Sequence, residues 1–120
     1  MAEHNITGEL GENLAVKYLE KLGYIIKEKN WHYQNAEVDI IAQDKDTLLI
    51  VEVKTRKSNL FGEPEEWVNK QKQKNLIKAA NGYLEKNQLD FEVRFDIISI
   101  IYGSTKNHIN HIKDAFYPIR

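Results

Sequence analysis

Asp39, Glu52 and Lys54 are charged residues set in two runs that are otherwise mostly aliphatic, Ala36 to Ala42 and Leu48 to Arg56. Side chains alternate along a strand, so Glu52 and Lys54 share one face, with Leu48 and Ile50 behind them. Charges among buried aliphatic groups are costly unless they are paired or bind a metal. Two carboxylates on neighbouring strands repel, and one is pushed toward protonation unless a cation lies between them. A divalent metal supplies that cation, and carboxylate oxygens are the ligands Mg²⁺ prefers. Lys54 would then orient or help deprotonate a metal-bound water, or offset charge on a phosphate in the transition state. The competing account is an exposed strand end at which the three residues form ordinary surface ion pairs.

Both runs are short, β-branched and bounded by turn-forming residues, the signature of strands. Asp44-Lys45-Asp46 between them is short and polar enough for a tight connection, which predicts an antiparallel hairpin. Their near-continuous apolar character predicts a sheet covered on both faces. Asp39, twelve residues, then Glu52-x-Lys54 resembles the pattern of the PD-(D/E)XK nucleases.

The hairpin needs helices to cover it. The first is expected from about Thr7 to Leu22, capped by Asn5 or Thr7 and closed by Gly23. Its apolar arc collects Leu10, Leu14, Ala15, Tyr18, Leu19 and Leu22. Glu12 falls at the edge of that arc. It is placed equally well to join the carboxylate cluster or to rest half-exposed on the core rim. A second helix is expected from between Glu65 and Asn69 to about Asn87, with Leu76, Ile77, Ala80, Tyr83 and Leu84 inward. Lys70, Lys74 and Lys78 form an i, i+4 stripe on its solvated side. Lys72 lies one turn before Leu76 on the inward arc, where a lysine wants an anion, whether the carboxylates or a substrate phosphate.

The remaining elements frame these. Tyr24 to Trp31 is the expected first strand, with Tyr24, Ile25 and Ile26 as its buried part. Trp31 to Asn35 is expected to be a loop in which Trp31 covers the core and His32 has no catalytic role. The segment from Lys57 to Pro64 is a loop suited to substrate contact. Phe91 to Ile101 is a strand, and Asp96 within it needs a cation from Arg94, Lys54 or Lys72. A turn at Gly103-Ser104 leads to a short edge strand through Ile109, Ile112 and Phe116. His108 and His111 fall on opposite faces of that strand and make poor metal partners.

Composition limits the class of protein. The chain has 120 residues, 42% hydrophobic and 29% charged, consistent with one globular domain over residues 1–120. It has no cysteine, which excludes disulfides and thiolate metal sites and suits a cytoplasmic location. No signal-peptide pattern opens the sequence and no apolar run is long enough to span a bilayer, so no membrane partner is expected. The net charge of −1 is not that of a dedicated nucleic-acid binder, although lysines cluster after Lys54 and along the second helix.

From end to end the chain resembles the YraN-type family of bacterial proteins, which has a restriction-endonuclease-like fold similar to the Holliday junction resolvases. The landmarks are Gly8-Glu9-x-Gly11-Glu12-x-x-Ala15 with Tyr18-Leu19, Asn30-Trp31, and Glu37-Val38-Asp39-Ile40-Ile41-Ala42. They continue through Val51-Glu52-Val53-Lys54-Thr55-Arg56, Lys72-Gln73 with Leu76 and Ala80, and Arg94-Phe95-Asp96. The resemblance implies an α/β fold with an α-β-β-β-α-β core, a mixed sheet flanked by helices. It implies a metal site of Glu12, Asp39 and Glu52 with the backbone carbonyl of Val53, Lys54 as catalytic lysine and Lys72 in support. The expected activity is Mg²⁺- or Mn²⁺-dependent hydrolysis of DNA, branched or otherwise structured, and the resolvase likeness implies a homodimer. A nucleic-acid-binding or adaptor protein that keeps the fold without turnover is the alternative. A protein-interaction module around Trp67 and the Gly62–Pro64 loop ranks below both. Ala36 stands where the family usually has glycine.

Overall fold

The aliphatic runs at the centre of the sequence become the middle of a five-stranded mixed sheet with one helix on each face. The computed structural model describes residues 2–56, 68–103 and 107–116, with side chains from residue 8 onward. In chain order the elements are α1 (Ala2–Lys21), β1 (Ile25–Tyr33), β2 (Ala36–Asp44), β3 (Thr47–Arg56), α2 (Lys70–Lys86), β4 (Glu92–Tyr102) and β5 (Asn107–Phe116). The expected α-β-β-β-α-β order is present, with β5 added at the end. The loop from Lys57 to Pro64, Glu65 to Trp67 and Ser104 lie outside the described residues, and α2 starts at the late end of its expected range, capped by Asn69.

The strands lie in sequence order, β1-β2-β3-β4-β5. β2 and β3 form the predicted antiparallel hairpin, turning at Lys45 with φ 56°. β4 runs parallel to β3, from Thr47↔Glu92 to Arg56↔Ile101. A parallel neighbour needs a long crossover, and α2 lies within it.

Strand parity sorts the core in two. Ile41, Leu48, Ile50, Phe95 and Ile97 pack with Leu76, Ala79, Ala80 and Tyr83 of α2. Ile40, Ala42, Leu49, Val51, Ile98 and Ile100 pack with Ala15 and Leu19 of α1. Each fully buried aliphatic side chain contributes about 1.5–3 kcal/mol, so burial on both faces fixes β3 and β4 as the rigid centre.

Several boundaries differ from expectation. α1 starts at Ala2, so Asn5 and Thr7 lie within the helix instead of capping it. Alanine and glutamate favour helix and nothing before Thr7 interrupts it. Its inward line is Gly11, Ala15 and Leu19, while Leu10 and Leu22 are exposed. The line is set by close approach: a Cβ on Gly11 would meet Thr55 Oγ1 at 1.8 Å. Gly23, at φ 93°, ends α1 as expected, with Gly23 N–H donating to Glu20 O and Tyr24 N–H to Leu19 O.

β1 is longer than predicted and less buried. It continues two residues past the expected end at Trp31, through Tyr33, so the expected loop from Trp31 to Asn35 shrinks to a turn at Gln34-Asn35. Ile25 is exposed because β1 is a sheet edge. Trp31 does cover the core, set edge-on to Tyr83 at 5.2 Å and stacked on Tyr33 at 5.8 Å. No helix among the described residues is long and apolar enough to cross a membrane.

Candidate functional site

Parity places Glu52 on the α2 face of β3, where it is only 4% exposed. Lys54, two residues on, shares that face, and its Nζ lies 3.4 Å from Glu52 Oε2. α2 supplies the second cation, Lys72 Nζ, which donates to the same oxygen. Lys72 is held there by the helix start. Asn69 caps α2 by accepting the Lys72 N–H at 2.9 Å, and Gln73 Nε2 donates to the carbonyl of buried Val68 at 2.9 Å. Lys72 thus points inward, as its place on the helical arc predicts.

Asp39 enters from β2. Its Oδ2 accepts the backbone N–H of Val53 at 2.8 Å. No second hydrogen bond reaches this carboxylate among the described residues. Asp39, Glu52 and Lys72 line one cavity of about 340 Å³ at the end of β3 nearest α2's first turns. The side chain of Val53 belongs to the opposite, α1-facing core.

The acids behave as two carboxylates forced together. Burial, then the nearby charge of Glu52, pushes the Asp39 carboxyl up to about 7; the Val53 N–H opposes this, Glu12 adds to it and Lys72 reduces it. For Lys72, burial favours the neutral amine, but the hydrogen bond and charge of Glu52 outweigh it and hold the ammonium above its ordinary value. The ion-pair alternative is therefore partly realised, but in a half-buried cavity and not on an open strand end.

Glu12 is near enough to act on Asp39, yet its Oε1 accepts a hydrogen bond from Asn30 Nδ2 at 2.9 Å. Among the described residues no group of three or more histidine, aspartate or glutamate side chains is arranged to hold a metal ion. The two acids that share the cavity nevertheless suit Mg²⁺, which is commonly held by one or two carboxylates and otherwise by water and substrate phosphates.

Asp96 is not part of this cluster. It lies on the α1 face of β4, so Lys54 and Lys72 are on the wrong side of the sheet to pair with it. Arg94 supplies its cation through two hydrogen bonds, of 2.9 and 2.8 Å. His111 Nε2 at 2.7 Å and the Asp114 N–H at 3.0 Å complete its partners. Burial would raise this carboxyl, but the bonds from His111, Arg94 and Asp114 hold it below the usual range. His111 is inward and bonded to Tyr18, whereas His108 is exposed, as their odd spacing requires. His32 sits at the surface, 3.7 Å from Glu37.

The amide rim of the cavity went unread in the sequence. Asn35 from the β1–β2 turn, the cap residue Asn69, and Gln71 and Asn75 from α2 line it beside the charged groups. The spacing of Gln71, Lys72 and Asn75, three and four apart, marks a polar helix face that could have revealed it.

The model of the Uncharacterised protein family UPF0102 matches residues 11–100, three quarters of the chain. The chain belongs to the UPF0102 family. A UPF0102 protein of Flavobacterium psychrophilum is 51% identical over 117 residues, 98% of each chain. One from Bacteroides thetaiotaomicron is 50% identical over 118 residues, again 98% of each. One from Parabacteroides distasonis is 43% identical over 117 residues, 98% of this chain and 97% of its own. The matched region holds Glu12, Asp39, Glu52, Lys54 and Lys72. Alanine in place of the usual glycine at position 36 brings no positive φ: Ala36 is buried at the start of β2 and packs in the α2-side core.

Proposed function

We propose that this protein is a metal-dependent endonuclease built on a restriction-endonuclease-like core, hydrolysing phosphodiester bonds of branched or otherwise structured DNA. The observation that carries this reading is that Asp39 and Glu52 share one cavity with Lys72; burial and the charge of Glu52 push the Asp39 carboxyl up to about 7. A cation between the two acids relieves that repulsion. Asp39 and Glu52 would hold Mg²⁺ or Mn²⁺, with Glu12 extending the shell and the Val53 carbonyl facing the ion. Bound there, the ion supplies a Lewis acid for the phosphoryl oxygens.

The chain's own groups do the rest. Lys72 stays an ammonium and offsets charge on the phosphate. Lys54, one strand repeat beyond Glu52, orients the attacking water. Glu52 sets both lysines in place before substrate arrives. Asn69, Gln71 and Asn75 offer neutral donors to the phosphates at the cavity rim.

Incubation with branched, single-stranded and duplex DNA under Mg²⁺ or Mn²⁺ tests the reading. Cleavage that disappears in Asp39→Ala and Glu52→Ala is expected. No cleavage of any substrate, with both variants indistinguishable from wild type, would overturn it.

One observation favours the rival, a nucleic-acid-binding protein without turnover. Glu52 already has two ammonium partners, so the cluster is largely charge-satisfied without a metal. Such a protein has no need to bind Mg²⁺ or Mn²⁺ at these acids, and metal titration separates the two.

A further inference from the structure

We propose that the exposed face of α2 carrying Lys70, Lys74 and Lys78 docks the phosphodiester backbone of a nucleic-acid strand and leads it to the Asp39–Glu52 cavity. The docking stands on the helix itself; only the destination rests on the nuclease reading.

The first argument is local frustration. A helix N-terminus favours acidic side chains, because the aligned peptide dipoles leave partial positive charge there. The first turn of α2 has none, and Lys70 and Lys72 stand there instead. Lys70, Lys74 and Lys78 also repeat at i, i+4, where like charges repel. All three are exposed, and none forms an ion pair among the described residues. Such conflict with local preference is expected where a partner relieves it, and an anion with a regular repeat matches a row of lysines at regular spacing.

The second argument is continuity. Lys70, Lys74 and Lys78, with Gln73 and Ile77, border a recess of about 510 Å³. Lys78 also borders a small cavity of about 50 Å³ with Tyr33, Asn35 and Asn75. Asn35 and Asn75 in turn line the cavity that holds Asp39 and Glu52. Lys78, at the far end of the lysine row, thus adjoins residues that also line the acid cavity. Its pitch suits the ligand: residues i and i+4 are about 6 Å apart along the axis, close to two nucleotide rises of about 3.4 Å each.

The test is binding of single-stranded and duplex 30-mers without divalent metal, from 50 to 200 mM salt. The variant K70Q/K74Q/K78Q is compared with K17Q/K21Q/K29Q, which removes the same charge from exposed positions off α2. For duplex, the first is expected to lower the slope of log affinity against log salt by about 2.7, from about 0.9 per lost phosphate contact. It should also melt at a higher temperature than wild type, because repulsion has been removed. The control should keep most of the slope. Equal slopes in the two variants, or no binding by wild type to either 30-mer, would overturn the docking site. Lysine-dependent binding without Mn²⁺-dependent cleavage would keep this site and remove the nuclease. Cleavage that is indifferent to the three lysines would do the reverse.

Discussion

The backbone N–H of Val53 donates to the side chain of Asp39, not to a backbone carbonyl. The β2–β3 ladder ends at Ile40↔Val51, so this bond takes over where regular pairing stops. The same carboxylate therefore closes the hairpin and enters the cavity. It also ties the proton affinity of Asp39 to strand geometry, since the N–H bond opposes the effects of burial and Glu52.

Protonation of Asp39 should be visible in stability. Its folded value of about 7 lies above the unfolded value of about 3.9. The folded state thus holds the proton more tightly, a contribution fully present below about pH 4 and lost as pH rises through about 7. Without metal, the melting temperature should fall from pH 5 to pH 8, and Asp39→Asn should flatten most of that fall. An equally steep fall in the variant contradicts the assignment.

Lys72 competes with any cation for Glu52. Lys72→Met should therefore bind Mn²⁺ a few-fold more tightly while cleaving DNA about 10²-fold more slowly, the usual cost of losing one charge-stabilising donor. Parallel losses of metal affinity and turnover would instead make Lys72 a structural support for the site.

Gly11 and Gly8 give a paired test of helix seating. Gly11→Ala pushes a methyl into Thr55, whose Cβ as well as Oγ1 lies within 3 Å of the added atom. A loss of about 1–3 kcal/mol is expected from overpacking. Gly8→Ala meets nothing within 4 Å and should gain about 0.5–1 kcal/mol from helix propensity. Chemical denaturation of the two proteins distinguishes them, and a neutral Gly11→Ala would place α1 farther from β3.

Asp96 anchors the far face of the sheet. Asp96→Ala leaves Arg94 and buried His111 without their carboxylate, and breaking a buried pair of this kind costs about 3–5 kcal/mol. The Asp96 contribution is present above its unfolded value of about 3.9 and lost as pH falls through its lower folded value. The variant's deficit should therefore be full at pH 7 and shrink below pH 4. A deficit independent of pH would make the loss one of packing alone.

Much of the site was legible because it depends on parity. Glu52 and Lys54 two apart on β3, and Lys72 one turn before Leu76 on α2, needed only the periods of strand and helix. The partner of Asp96 was not settled that way: the register of β3 against β4 puts Lys54 on the other face, and the packing of α2 on that face takes Lys72 with it. The helix arc of α1 was misplaced because hydrophobicity drew it toward Leu10 and Leu22, while contact is governed by small Gly11 and Ala15. β1 outruns its expected end at Trp31 because Gln34 and Asn35, not His32 and Tyr33, make the turn into β2.

The central claim is that Asp39 and Glu52 together hold a divalent cation, and calorimetric titration of Mn²⁺ tests it most directly. One site is expected at pH 8, with affinity falling about tenfold per pH unit below about 7 as the cation must displace the Asp39 proton. Asp39→Asn and Glu52→Gln should each abolish it. Absence of binding by folded wild-type protein at millimolar Mn²⁺, or equal binding by both variants, would contradict the account.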